Sequence, residues 1–232
     1  MDDHEYAAGL RATMSELTGQ FSRSTDIATT LYRVTSTAVE LISGVAYADV
    51  LLINGPDTFQ SVAATSTVAT DLDDVQQRFR EGPCLDAALA DVVTVSNDLS
   101  EDSRWPRFAK SAIAAGVYSM LSFRLYTHNA RMGALNLFAD DRDVFTAKVE
   151  ALAAMLATQA AIALIADDKA LQFRSALASR DIIGQAKGMI MERFHVDALH
   201  AFDLLKKLSQ DTNTPLVDIA TELVVRGPDP AF

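Results

Sequence analysis

The chain has 232 residues, 49% of them hydrophobic and 22% charged, which gives room for one or two globular domains and excludes a disordered polymer. A net charge of −11 excludes a surface that attracts nucleic acid all over, and the single cysteine, Cys84, excludes an internal disulfide and an all-cysteine metal site. The start, MDDHEYAAGL, is acidic and lacks the basic and apolar runs of a secretory signal.

Ile27, Leu31, Val34, Ala38 and Leu41 recur at helical spacing, predicting an amphipathic helix over 26–43 that ends near Gly44. ADVLLIN and TFQSVAAT are β-prone runs separated by NGPD, a hairpin signal. VVTVS predicts a third strand, and VYSMLSFRLY and RMGALNLFA, joined by THNA, predict a second hairpin. Residues 72–90 and 103–115 read as helical connections, the second starting at Pro106 beside a packed Trp105.

From Val144 the pattern turns helical and stays so to about Phe194, too long for an ordinary globular helix. Its most apolar part, Ala151–Ala166, is short for a membrane span and is interrupted by Thr158 and Gln159, so a buried or dimer-forming helix is expected and no membrane partner. Asp197 is placed to cap a second helix with Ala198, Ala201, Phe202, Leu205 and Leu208 on its apolar face. Thr214 and Pro215 open a third, which buries Leu216, Ile219 and Leu223. The fold class is therefore α+β: a sheet-and-helix domain, a long connecting helix and a three-helix module.

Motifs for chemistry are sparse. Cys84 in REGPCLDAAL has no partner in sequence and reads as an apolar packing residue. His4, His128, His195 and His200 lack ligand spacing, and no GxGxxG, phosphate loop or GxSxG occurs, so neither an enzyme nor a bound metal or cofactor is expected. Charge, however, is uneven. Lys169 to Lys207 holds seven basic and four acidic residues, net +3, against −14 for the remainder.

Within that basic segment, SRDIIGQAKGMIMERFHVD carries Gly184 and Gly188 inside a helix, each costing about 1 kcal/mol relative to alanine. At about 100° per residue, Lys169, Arg180, Gly184 and Lys187 share one face, with Leu171, Ala178, Ile182 and Met189 roughly opposite. Absent side chains beside a lysine suit the approach of a phosphate backbone; a close helix–helix crossing is the alternative that spacing alone leaves open.

ALASRDIIGQAKGMIMERFHVDALHAFDLLKKLSQDTN resembles the signature of the ANTAR family of RNA-binding transcription antiterminators. Upstream, EGPCLDA, RWPRFA and MGALNLFA are similar to GAF domains of actinobacterial regulators. The resemblance implies a GAF-like sensor domain over 1–166 and an ANTAR module over 167–232. It implies that Arg180, Gln185, Lys187, Gly188 and Lys206 bind RNA, namely paired hairpins in nascent mRNA. It also implies an unidentified small-molecule effector for the sensor, whose pocket residues do not transfer. The expected protein is a cytoplasmic antitermination regulator, dimeric through the 144–166 helix. One departure is that the third helix opens with Pro215 and Val217 where the family often has basic residues. The rival reading is a dimeric signalling scaffold that binds no RNA; an enzyme built on Cys84 is a second.

Overall fold

Asp26 starts the first helix, α1 (Ile27–Leu41), by accepting the backbone N–H groups of Ala28 and Thr29 on its carboxylate. The structure, a computed structural model, describes residues 26–53, 58–89, 91–126 and 132–227. The NGPD and THNA turns, His4 and His128 lie outside the described residues.

The strands form one antiparallel sheet. β1 (Val45–Ile53), β2 (Phe59–Val62), β3 (Val93–Ser96), β4 (Ser119–Tyr126) and β5 (Met132–Ala139) lie in the order β2-β1-β5-β4-β3. The two expected hairpin pairings are present, with Ile53 opposite Phe59 and Tyr126 opposite Met132. Gly133, near the start of the central strand β5, answers to a close approach: a Cβ there would lie 2.8 Å from the Leu51 carbonyl oxygen.

Alternation along the strands gives the sheet two buried faces. One carries Val50, Leu121, Phe123, Leu125, Leu135 and Leu137 and packs against α1 and the first part of the long helix α5 (Ala147–Phe194). The other carries Leu51, Met120 and Phe138 and packs against α2 (Thr67–Phe79), α3 (Pro83–Leu89) and α4 (Pro106–Ala114). The helical connection expected over 72–90 begins earlier, at Thr67, and consists of two helices. Arg80 takes the left-handed conformation at φ 53° and Gly82 sits at φ 143°, so the chain turns before Pro83 restarts it.

By length and composition α5 is apolar enough to cross a membrane. Its Leu152, Ala153, Leu156, Ala157, Ala160 and Leu164 are instead buried in the sheet core, which makes this stretch a core helix. The chain divides into two units, Met1–Asp168 and Lys169–Phe232, and α5 begins in the first and ends in the second.

The second unit packs the end of α5 against α6 (Ala198–Thr212) and α7 (Leu216–Arg226) around Ala186, Ile190, Ala201, Leu205, Ile219 and Ala220. Asp197 caps α6 as expected, accepting from the backbone of Leu199 at 3.0 Å and His200 at 2.8 Å. The cap of α7 differs. Pro215 itself precedes the first helical residue and its carbonyl accepts from Asp218 and Ile219, while Thr214 Oγ1 turns back to the Thr212 carbonyl.

Candidate functional site

The end of α5 sets the geometry of the basic segment. Its core side is Ala186 and Ile190, with Ile182, Ile183 and Met191 packed alongside. The core stripe therefore lies closer to Lys187 than the sequence spacing suggests. Lys187 stands at the edge of that core, half-buried, rather than across the helix from it. Arg180, Gln185 and Gly188 are exposed.

Gly184 and Gly188 have nothing within 4 Å of where a Cβ would stand. Among the described residues, then, no helix crosses at these glycines, and the close-crossing alternative has no counterpart within the chain. What they leave is an open strip of backbone. Lys187 and Gln185, two positions apart and so about 200° round the axis, stand on opposite sides of it.

α6 brings up the rest. Phe202, expected on the apolar face, is instead 38% exposed, because the core side of α6 is centred on Ala201 and Leu205. Lys187 Nζ lies 5.9 Å from the centroid of the Phe202 ring. Lys206 is exposed one turn further along the same flank of α6. The structure therefore brings Lys187 to Phe202, with Lys206 one turn on along α6, while Gln185 stands across the glycine strip and Arg180 lies back along α5. The signal for Phe202 was present in the sequence as an aromatic four residues before a lysine. Its assignment to the core hid it.

The first unit holds a different cluster, on the sheet face covered by α2 and α3. Asn136 on β5 donates to Asp49 Oδ1 on β1 at 2.8 Å and to Asp73 Oδ1 on α2 at 3.3 Å, and accepts from Ser122 on β4 at 2.9 Å. Gln76 Nε2 donates to Asp73 Oδ1 and its Oε1 accepts from the Cys84 backbone. Burial pushes the Asp49 carboxyl up to about 7. The same burial, followed by the charge of Asp49, raises Asp73 well above the carboxylate range. Burial and the neighbouring carboxyl both favour the neutral form, since two bare carboxylates cannot share a buried site, and among the described residues the Oδ2 atoms of Asp49 and Asp73 are buried without a hydrogen-bond partner. Sequence reading missed this pair because 87 residues separate Asp49 from the Asn136 that joins them.

Cys84 is fully buried, and burial followed by the nearby Asp73 raises its thiol well above the usual range. It is a packed thiol, not a thiolate nucleophile. EGPCLDA and RWPRFA meet in space. Glu81 accepts from Arg107 Nε at 2.6 Å, and Asp86 accepts from the buried Trp105 indole at 2.9 Å. His200 pairs with its own helix cap, Asp197, at 2.9 Å. Among the described residues no group of three or more His, Cys, Asp or Glu could hold a metal.

Comparison with known proteins locates both units. A GAF domain model matches residues 24–165 and an ANTAR domain model residues 171–224. No curated protein matches the chain significantly. Among solved structures, free methionine-R-sulfoxide reductase from Neisseria meningitidis, in complex with its substrate, is 17% identical with TM-score 0.52, over 73% of this chain and 95% of that one. The GAF domain of Acinetobacter phosphoenolpyruvate-protein phosphotransferase is 13% identical with TM-score 0.50, over 74% and 99%. Escherichia coli SdiA is 14% identical with TM-score 0.53, over 93% and 95%. At these identities the likeness is one of fold.

Proposed function

The chain belongs to the GAF domain family and continues into an ANTAR domain, and from that premise we propose that it is a cytoplasmic transcription antitermination regulator binding paired hairpins in nascent mRNA. The observation that carries the RNA reading is the open glycine strip of α5, edged by Lys187, with Phe202 and Lys206 beside it. Phosphates need cations, and a backbone can approach a helix closely only where side chains are missing. Arg180, Gln185, Lys187, Gly188 and Lys206 are the RNA-binding residues of this reading. The sensor domain takes a small-molecule effector, needs no other cofactor, and sets whether two ANTAR modules of a homodimer engage RNA. The protein performs no chemistry of its own, which the buried, protonated Cys84 supports.

A second reading, a dimeric scaffold without RNA, draws on Pro215 and Val217 at the start of α7 and on the net charge of −11. Crosslinking in cells followed by sequencing of bound RNA separates the two. Recovery of transcripts with paired hairpins ahead of terminators is the expected result. Recovery of no RNA above background favours the scaffold.

A further inference from the structure

Phe202 is an aromatic ring left open to solvent, with Lys187 over it and Lys206 one turn on along the same helix. The core of the second unit takes Ala201 and Leu205 from α6 and leaves Phe202 outside, at 38% exposure. Lys187 Nζ approaches the ring to 5.9 Å, the outer limit of a cation–π contact, so it is easily displaced from the ring. Lys206 lies one turn on, and the open ground above Gly188 adjoins Lys187.

A phenylalanine offers no hydrogen bond and no charge; what it offers is a flat apolar face. A ligand that uses that face and both cations has an aromatic plane with anionic groups on either side. A nucleotide strand has this form. A continuous duplex does not, because its base faces are covered by their neighbours, whereas unpaired loop bases are free to stack on an aromatic side chain.

Resting on the RNA-binding reading, we propose that Phe202 is the stacking residue of the interface: its ring takes an unpaired base of a hairpin loop, while Lys187 and Lys206 meet the phosphates flanking that base. The lysine that covers the ring in the free protein moves to a phosphate when the base arrives.

The test uses the full chain and a pool of tandem RNA hairpins with randomised loops, enriched on the wild-type protein. Stacking measured by truncation corresponds to a loss of roughly five- to 150-fold per base. Phe202→Leu, which keeps apolar bulk but removes the ring, is expected to weaken binding of the enriched RNA by about tenfold or more. Phe202→Tyr keeps the ring and is expected to bind like wild type.

Salt separates stacking from charge. Phe202→Leu loses affinity with an unchanged slope of log affinity against log salt, whereas Lys187→Ala lowers that slope by about one. Replacing the enriched loops by a continuous duplex is expected to erase the difference between Phe202→Leu and wild type. Equal binding of enriched RNA by wild type and Phe202→Leu overturns the stacking proposal while leaving RNA binding intact. Failure of the wild-type protein to enrich any RNA overturns both. Unchanged thermal transitions of the variants exclude unfolding as the cause of a loss.

Discussion

Lys187 and Gly188 are neighbours with opposite tasks, and their substitutions separate folding from binding. Lys187 contributes charge from the edge of the core, so Lys187→Ala is expected to weaken RNA binding by about tenfold or more while the thermal transition barely moves. A charge-assisted contact is worth about 1.5–3 kcal/mol, and a partly exposed lysine adds little to folding. Gly188→Leu should raise helix stability by up to about 1 kcal/mol, since nothing stands within 4 Å of where its Cβ would go. The same leucine fills the open strip, so RNA binding should fall as the thermal transition rises. Asp49 and Asp73 make a pH prediction for the first unit. Both carboxyls are raised by burial, Asp49 to about 7, so the folded state holds protons that the unfolded chain releases near 4. The part due to Asp49 is complete below about pH 4 and is lost as pH rises through about 7, a fall of up to about 4 kcal/mol for a shift of this size. Denaturant unfolding of the wild-type protein between pH 5 and 8 should show the fall. Asp49→Asn, still an acceptor for Asn136 but without charge, should reduce it, leaving the part that the burial of Asp73 supplies. A pH-independent wild type would mean that neither carboxyl is raised in the folded protein.

At the scale of elements, pattern made the five strands and most helices of the described residues legible, because amphipathic spacing reports which side of an element is buried. It did not report where that side is centred. Phe202 and Leu208 belong to the apolar spacing of α6 yet are exposed, since two small neighbouring helices bury only a narrow stripe around Ala201 and Leu205. The break between α2 and α3 was hidden for a different reason. Arg80 carries no left-handed preference in the sequence, and the turn is fixed by Gln76 reaching across to the Cys84 backbone. Lys187 and Gly188 were legible from motif spacing, whereas the Asp49–Asn136–Asp73 cluster arises from strand order, which short-range pattern does not encode. The pairing of β1 with β5 also explains Gly133. A methyl group placed 2.8 Å from the Leu51 carbonyl oxygen forces two central strands apart. Gly133→Ala is therefore expected to cost about 1–3 kcal/mol, measured by denaturant unfolding of the first unit. An unchanged midpoint would mean that the sheet yields at this point without strain.

At the scale of the whole molecule, the apolar surplus of α5 bears on assembly. The helix buries Leu152, Leu156 and Leu164 against its own sheet, with Leu156 only 4% exposed. Met155 and Ile162, seven residues apart and so on one face, remain 40% and 55% exposed. In the second unit Phe173 and Leu177, one turn apart on the same helix, are 66% and 44% exposed. Large apolar side chains recurring along one helix are costly to leave in water, and a second copy of the helix would cover them. A parallel pair would also hold two ANTAR domains in one particle, raising the effective concentration of the second for a two-hairpin target without any new contact. The choice of variant decides whether this can be tested. Leu156→Lys would bury a charge in the sheet core and unfold the first unit, so a loss of dimer there would carry no information. Met155→Lys with Ile162→Lys places both charges on the exposed face instead. Sedimentation of the wild-type protein at micromolar concentration is expected to give a dimer, and the double variant a monomer with the wild-type far-ultraviolet spectrum. RNA affinity of that monomer should fall by roughly 100-fold or more, the gain that tethering supplies. A wild-type monomer at that concentration, with and without RNA, would place the exposed face of α5 outside any self-association.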